Sequence, residues 1–180
     1  MGGMSPLKAM DRPIDLSKFM GSWYVIAHIP VFTEKNAYNA VENYEWDEKN
    51  QRFQVTYRFN EAKNDGPLDV SYQRGFINNK QTCTDLKVTP KLPLVGYTPL
   101  RLSYLITHMA DDYSDIIVGF PNRKYLWIMA RTPSLPVERY DSLVQMAVNQ
   151  GYDSSLIRKV PQDASAPAFL VPTQPIKIAP

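Results

Sequence analysis

The sequence predicts an all-β fold in which eight antiparallel strands, joined by short turns, are followed by one C-terminal helix. The first observation is a strict alternation of apolar and polar residues, clearest at residues 52–60, which is the period of a half-buried strand. The second is a series of polar, Gly or Pro clusters between the extended stretches. The third is a single helical pattern, at residues 135–150. Sequential hairpins without intervening helices favour a sandwich or a closed up-and-down barrel.

The first element is a short helical turn that leads into a strand. Asp15 or Ser17 can cap residues 16–20, because Asp and Ser side chains accept hydrogen bonds from the free amides at a helix start. Gly21 supplies the freedom in φ that a sharp exit requires. Trp23 then begins an apolar run, so this strand is expected to carry a large buried ring.

Seven more extended stretches complete the β-meander. The turns between them, such as residues 48–51 and 64–67, consist of polar residues, Gly and Pro, as hairpin connections require. The eight strands are predicted at residues 23–29, 41–47, 52–60, 68–76, 82–89, 100–109, 114–120 and 124–132.

The helix is amphipathic and is expected to pack on the outside of the sheet. Ser134 can cap it, Pro136 suits its first turn, and Gly151 ends it. Its apolar stripe needs an apolar sheet surface, and the strands at 114–120 and 124–132 are apolar on both faces. These two strands are therefore predicted to lie under the helix.

Composition and charge exclude several classes of protein. The 180 residues are 44% hydrophobic and 21% charged, as in a globular domain, and there is no apolar run of about 18 residues to span a membrane. Lys and Arg are scattered among Asp and Glu for a net charge of +2, which argues against nucleic acid as a partner. Cys83 is alone, so no intramolecular disulfide can form. His28 and His108 fit no metal-ligand spacing, so neither a metal site nor a cofactor is predicted.

Three motifs occur along the chain in a recognisable order. Gly21-x-Trp23 lies on the first strand, Asp112-Tyr113 precedes the seventh, and Arg131 ends the eighth. In these motifs and their spacing the chain resembles the lipocalins. It is most similar to the subgroup of bacterial lipocalins, plant temperature-induced lipocalins and apolipoprotein D. It departs from them in having no lipidated N-terminal Cys, no cysteine pair of the animal members, and an extended Pro-rich C-terminal tail.

The resemblance covers residues 14–161 and implies that they form one closed barrel domain. Residues 1–13 are then an N-terminal arm, and residues 162–180 form a Pro-rich tail that is expected to be irregular and mobile. Residues 156–160 can add a short ninth strand.

The motif residues have a structural role by this resemblance. Trp23 is expected to fill the closed end of the barrel, with Arg131 lying across its ring in a cation–π contact. Gly21, Asp112 and Tyr113 complete the motif. Burial of a large ring at the closed end is core packing, so these residues are not expected to contact a ligand.

Ligand-binding residues are expected on inward faces nearer the open end, because an eight-stranded barrel can hold one small ligand. An aromatic and aliphatic lining suits a fatty acid, a lysophospholipid, or a haem-like or isoprenoid molecule. The alternative is that inward aromatic side chains simply fill the barrel. The predicted contacts are Ala27, Tyr44, Trp46, Val55, Tyr57, Tyr104, Ile106, Tyr125 and Trp127.

The polar candidates are few. Glu42 is in register with the inward positions of its strand, where Arg74 or Arg101 could hold an anionic ligand head; the alternative is a solvated rim charge. Cys83 could act as a nucleophile, as a cavity Cys does in the lipocalin-type prostaglandin synthase. Its neighbours in sequence include no group that lowers a thiol pKa, so the protein is not expected to be an enzyme.

A second function class is a membrane-peripheral protective protein that acts through its surface. Leu92, Leu94 and Val95 belong to a Pro-rich apolar loop, and plant members of the resembling group carry a similar loop there. The prolines are expected to keep the loop out of a strand ladder and to present its side chains outward. We expect a monomer or weak dimer with a lipophilic small-molecule partner.

The compartment stays open on sequence grounds. Residues 1–10 contain neither the apolar stretch of a signal peptide nor a Cys that could take a lipid, so an export signal is expected to be absent or removed. An extracytoplasmic or membrane-peripheral location is the expectation that follows from the resemblance, which for a bacterial protein would be the outer membrane or periplasm.

Overall fold

The computed structural model describes residues 3–163 and 176–180 and shows a closed antiparallel β-barrel. Eight long strands follow one another around it, and β1 pairs with β9 to close it; two short strands, β6 and β10, pair with β5 and β1. The sandwich alternative is thereby excluded. The elements are α1 (Leu16–Phe19), β1 (Gly21–Ile29), a 3₁₀ turn (Phe32–Glu34), β2 (Ala37–Asp47), β3 (Arg52–Glu61), β4 (Leu68–Ile77), β5 (Asp85–Leu92), β6 (Gly96–Tyr97), β7 (Leu102–Met109), β8 (Asp115–Gly119), β9 (Leu126–Ala130), α2 (Val137–Asn149), a second 3₁₀ turn (Ser154–Leu156) and β10 (Arg158–Lys159).

Several predicted element boundaries are shifted, among them the start of β2, which is Ala37 rather than residue 41, and two of the shifts have a clear local cause. The fifth strand begins at Asp85 rather than at residue 82, because Cys83 adopts a positive φ of 58° in the preceding turn. The helix α2 begins at Val137, and its N-cap is Pro136, which has no side chain that could accept a capping hydrogen bond. The predicted cap at Ser134 therefore does not form.

The apolar residues divide between the inside of the barrel and its outer surface under α2. The inner cluster includes Trp23, Tyr44 and Met129. The outer cluster joins Ile117 of β8 and Ile128 of β9 to the apolar stripe of α2. The prediction that α2 covers these two strands is confirmed, and the double-sided burial explains why both are apolar throughout.

A β-bulge changes the facing of β1 in the middle of the strand. Val25 pairs with Met129, and Ala27 pairs with Ile128, so Ile26 is an extra residue without a partner on β9. Each bulge residue shifts the side-chain alternation by one position. Ala27 consequently lies in the outer cluster under α2, not inside the barrel, and its predicted inward position is wrong.

The loop after β5 is a hairpin rather than an open loop. Lys91 pairs with Tyr97 and Leu92 with Gly96, so the expectation that prolines keep this segment out of a ladder is wrong. Pro90 is tolerated in β5 although it donates no ladder hydrogen bond, and Pro93 lies in the turn. The turn does present Leu94 outward, fully exposed.

Both chain ends lie against the barrel where the structure describes them. Leu7 in the N-terminal arm is buried in the outer cluster, and its amide donates to the carbonyl of Pro121 at 3.0 Å. Ile176 and Ile178 pack against the inner cluster. The predicted mobile tail falls in part on residues 164–175, which lie outside the described residues.

Candidate functional site

One end of the barrel is closed by the motif residues. Trp23 is fully buried and its indole Nε1 donates to the carbonyl of Phe19 at 2.8 Å. The guanidinium of Arg131 lies 3.7 Å from the Trp23 ring centroid and also donates to the carbonyls of Lys18 (2.6 Å) and Ser22 (2.7 Å). Arg131 therefore ties the segment after β9 to the C-terminal end of α1 and the start of β1, which is a structural task.

The remaining motif residues order the turn before β8. The carboxylate of Asp112 accepts from the amide of Ser114 at 3.0 Å. Tyr113 adopts a positive φ of 59°, and its hydroxyl accepts from the amide of Asp15 at 2.7 Å. The turn is thereby fastened to the start of α1, at the closed end.

A cavity of about 200 Å³ lies at the opposite, open end of the barrel. Its wall comes from the loop after β1, from β2, β4, β5, β7 and β9, and from the β8–β9 turn, so it is the mouth of the barrel. Three predicted contacts, Tyr104, Tyr125 and Trp127, line it. The full lining is Val31, Glu34, Glu42, Gln73, Val88, Pro90, Leu102, Tyr104, Phe120, Tyr125 and Trp127.

Four aromatic rings form one side of this cavity. The centroid of Trp127 lies 6.0 Å from that of Tyr104, 5.7 Å from that of Phe120 and 6.4 Å from that of Tyr125. Phe120 and Tyr125 are themselves in edge contact at 5.3 Å. These spacings are those of favourable aromatic pairs, so the wall is held together before any ligand arrives.

Two buried carboxyl groups belong to the same cavity. Glu42, 4% exposed, accepts hydrogen bonds from the hydroxyls of Tyr44 and Tyr104 (the latter at 2.8 Å), and the two hydroxyls lie 2.5 Å apart. Glu34, 9% exposed, accepts from the indole Nε1 of Trp127 at 3.2 Å. Both acids are thus fixed by neutral donors.

The pKa values of both acids are raised. Burial, followed by the charge of Glu42, raises the pKa of Glu34 to about 8, against a smaller opposing effect of the Trp127 hydrogen bond. Burial raises the pKa of Glu42, and the two Tyr hydroxyls partly oppose it. Among the described residues, no Lys, Arg or His lies within ion-pair distance of either carboxylate.

Two more polar groups in the barrel interior have no hydrogen-bond partner among the described residues. They are the hydroxyl of Tyr57 and the Nδ1 atom of His28. Tyr57 pairs with Glu42 across β2 and β3, and the register of β1 puts His28 opposite Trp127. Burial, with the charge of Arg158, lowers the pKa of His28 to about 4, so its ring is neutral at pH 7.

The other predicted contacts do not line the cavity. Tyr44, Val55, Tyr57 and Ile106 are buried in the inner cluster and do not line the cavity. Trp46 lies at the closed end, where its Nε1 donates to Glu48 beside the β2–β3 turn, so its predicted place in the ligand cavity is wrong.

The structure also corrects the predicted anionic-head site. Glu42 is buried and hydrogen-bonded rather than a solvated rim charge. Arg74 stacks on Tyr97, with its guanidinium 3.6 Å from the ring centroid, and Arg101 stacks on Phe76 at 3.8 Å. Neither arginine lines the cavity, so neither can hold an anionic head beside Glu42.

Seven cavity residues besides Glu42 were not among the predicted ligand contacts. Glu34 lies in the 3₁₀ turn after β1, where no period-2 alternation assigns a side chain to one face. Phe120 continues the alternation of Ile116 and Val118, a pattern that could have placed it inward. The other five are Val31, Gln73, Val88, Pro90 and Leu102.

Cys83 does not contribute to the cavity. It is 5% exposed, its sulfur lies 3.7 Å from the carbonyl oxygen of Lys80, and burial raises its pKa, which keeps it a thiol. Within the described ranges, the His, Cys, Asp and Glu side chains form no group of three that could hold a metal ion. The helices of the same ranges include none that is long and apolar enough to cross a bilayer.

Several known proteins are similar to this chain over most of its length. Temperature-induced lipocalin-1 of Arabidopsis thaliana is 30% identical over 178 residues, covering 91% of this chain and 89% of the relative. Outer membrane lipoprotein Blc of Escherichia coli (strain K12) is 24% identical over 151 residues, covering 84% and 81%. Apolipoprotein D of Rattus norvegicus is 28% identical over 174 residues, covering 93% and 87%. These relatives represent all three groups of the predicted subgroup.

A solved structure supports the fold independently. Insecticyanin from the tobacco hornworm Manduca sexta superposes with a TM-score of 0.65 at 18% identity, covering 92% of this chain and 87% of that one. The family model of the lipocalin-like domain matches residues 14–162, which include every strand and α2. The chain belongs to the lipocalin family.

Proposed function

We propose that this protein sequesters or carries a small lipophilic ligand in the cavity at the open end of its barrel. The observation that carries the proposal is the preformed aromatic wall around Trp127, which together with Val88 and Leu102 lines a cavity of about 200 Å³. Members of this family in general bind small hydrophobic molecules and are not enzymes. The buried, protonated Cys83 outside the cavity supports a binding role without chemistry.

The size of the cavity narrows the expected ligand. Ligand pockets usually measure about 300–1,000 Å³, whereas a cavity of about 150 Å³ already holds benzene. The cavity therefore suits a molecule of one or two rings or a short chain. A fatty acid or lysophospholipid needs additional space, which the mouth beside the exposed Phe32 can provide outside the barrel.

The test is a titration panel with two Trp variants. Fatty acids, lysolipids and small aromatic compounds are titrated by calorimetry into the wild type, Trp127→Ala and Trp46→Ala. We expect micromolar binding of at least one compound, weakened about tenfold or more by Trp127→Ala and unchanged by the control Trp46→Ala at the closed end. Absence of binding below about millimolar concentration across the panel would remove the proposal.

A second candidate function is peripheral attachment to a membrane, protecting it through the β5–β6 hairpin. Leu94 is fully exposed, Val95 is 72% exposed and Leu92 46% exposed, with Lys91 beside them. Each aliphatic side chain is worth about 1.5–3 kcal/mol when fully buried, which supports weak, reversible docking. By analogy with Blc, named an outer membrane lipoprotein, this candidate puts the protein outside the cytoplasm or on a membrane surface.

Liposome co-sedimentation tests this candidate. Vesicles with an anionic lipid fraction are pelleted with the wild type, with a Leu92→Ser/Leu94→Ser/Val95→Ser variant, and with Val137→Ser/Leu156→Ser. The last variant removes two comparably exposed apolar side chains elsewhere, at 68% and 53% exposure. Membrane attachment requires that only the hairpin variant stays in the supernatant. Equal pelleting of all three would exclude it.

A further inference from the structure

The acids of the cavity have no counter-charge among the described residues. Glu34 and Glu42 both line the cavity, are nine-tenths or more buried, and accept only from neutral donors, namely Trp127, Tyr44 and Tyr104. A buried carboxylate without a cation is costly to ionise, and two close together are more costly still. A wall that only had to hold a hydrocarbon would be served better by apolar side chains.

A ligand can supply what the wall omits. An anionic head would face two carboxyl groups with no cation between them, and it is disfavoured because ionisation of either acid would repel it. An ammonium group would lie in the field of both carboxylates and could donate charge-assisted hydrogen bonds to them.

The aromatic wall suits the same charge. Trp, Tyr and Phe attract a cation over the ring face, and sites for quaternary ammonium groups are commonly cages of such rings. Trp127 participates in both features, since its ring belongs to the wall and its Nε1 donates to Glu34. A cation bound beside Glu34 is therefore also within reach of the Trp127 ring.

Building on the proposed binding function, we propose that the ligand is a small organic cation. It is an aryl- or alkylamine or a quaternary ammonium compound, whose charged head lies between Glu34 and Glu42 and whose apolar body packs against Phe120, Tyr125 and Trp127. The cavity of about 200 Å³ accommodates one ring with a short chain.

A matched series of ligands tests this directly. Calorimetry at pH 7.5 compares 2-phenylethylamine, 2-phenylethanol and phenylacetate, which share the ring and differ in head charge. We expect the amine to bind about tenfold or more tightly than the alcohol, with phenylacetate the weakest. Glu34→Gln should remove most of this preference of the amine over the alcohol. The control Glu138→Gln changes an exposed acid on α2 and should leave all three affinities as they are.

Each result has a definite meaning. Glu42→Gln repeats the test at the second acid, and the wild-type ligand series stands on its own if either variant fails to fold. An alcohol that binds as tightly as the amine would overturn the cation proposal and leave the binding function intact; it would mean that the acids are protonated donors. Tighter binding of phenylacetate would also overturn it. If none of the three bound while a fatty acid did, the cation proposal alone would fail; if nothing bound, both would fail.

Discussion

Two buried acidic sites on opposite sides of the barrel wall differ in how their charge is balanced. Outside, Asp115 of β8 lies under α2 and is 2% exposed. Arg139 of α2 donates to it through Nε at 2.6 Å and Nη2 at 2.8 Å, and His108 lies 2.8 Å away. Burial alone would raise the pKa of Asp115, but these hydrogen bonds and charges outweigh it and lower the pKa to about 2.

Inside, Glu34 is also buried, at 9% exposure, but with the opposite result. The pKa of Glu34 rises to about 8, chiefly through burial, because its partners are an indole and a second acid rather than a cation. Burial therefore does not decide the ionisation of an acid in this protein; the presence of a cation does. The outer site contains its own cation, Arg139, and the ion pair holds α2 against the sheet. In the proposed complex the cation of the inner site comes from the ligand.

Breaking the outer pair should have the largest effect on stability. Arg139→Met leaves Asp115 buried beside His108 alone, and removing one partner of a buried pair typically costs about 3–5 kcal/mol. We expect a loss of about 3 kcal/mol in the free energy of unfolding, at the low end, because the Arg139 side chain is 36% exposed. Urea denaturation at pH 7 measures it.

The control for this loss is a pair of similar length on the surface. Arg12 and Asp111 are 2.6 Å apart, but their side chains are 51% and 97% exposed. Asp111→Asn should therefore leave the urea midpoint unchanged within error. Equal losses in the two variants would show that the outer site owes nothing to its burial.

Removing the inner acid, Glu34, should increase the free energy of unfolding, whereas breaking the outer pair decreases it. The pKa of Glu34 is raised from 4.5 in the unfolded chain to about 8, so its contribution to stability is fully present below pH 4.5 and is lost as the pH rises through 8. Glu34→Gln removes this titration. From pH 5 to pH 8 the free energy of unfolding of the variant should therefore increase by about 2 kcal/mol relative to that of the wild type. This figure is discounted because a residue near the barrel mouth can relax towards solvent.

Urea denaturation of both proteins at pH 5, 6.5 and 8 measures this gain. Tyr57, Tyr104 and Trp127 face Glu34 from neighbouring strands in both proteins and cancel in the difference, whereas the mutual repulsion of Glu34 and Glu42 is part of what the variant removes. If the difference in free energy of unfolding between Glu34→Gln and the wild type were the same at pH 5 and pH 8, the carboxyl group of Glu34 would not titrate in this range.

How much of this the sequence predicted depends on the kind of signal. Alternation and turn residues predicted all eight strands, because period-2 patterning is imposed by burial of one face. The bulge at Ile26 could not be predicted from the sequence. One extra residue in an apolar run turns the following side chains to the other face without changing the composition of the run. It alone misassigned Ala27 and hid His28.

The site was predicted less well for a physical reason. Tyr104 and Trp127 were predicted to face inward because they alternate on regular strands, and Tyr125 because the same alternation was extended to the residue before β9. Glu34 was missed because the 3₁₀ turn after β1 determines which way its side chain points, and no pattern in the sequence predicts this turn. Glu42 was placed inward but left without its role, since a Glu on a strand is usually solvated and only the structure shows the Tyr44 and Tyr104 hydroxyls around it.

The smallest expected effect is the pH dependence of cation binding. It tests most directly whether the inner acid, unlike the outer one, takes its cation from a ligand. If an organic cation binds against ionised Glu34, binding must release a proton whenever the free protein holds Glu34 protonated, that is, below about pH 8. Affinity should rise about tenfold from pH 6.5 to pH 7.5 and level off above 8.

Calorimetry with benzyltrimethylammonium, whose own charge does not titrate, measures this dependence. The groups around Glu34 that also bear on it are Glu42 of β2, Tyr57 of β3, Tyr104 of β7, and His28 and Arg158 at the β1–β10 edge. His28, with a pKa of about 4, and the tyrosines, with raised pKa values, do not titrate between pH 6.5 and 7.5. Glu34→Gln should therefore reduce the slope of the curve, and any slope that remains reports Glu42, whose pKa is also raised. An affinity independent of pH in the wild type would mean that the inner acid keeps its proton when the cavity is filled, and that the two sides of the barrel wall do not differ in the way argued above.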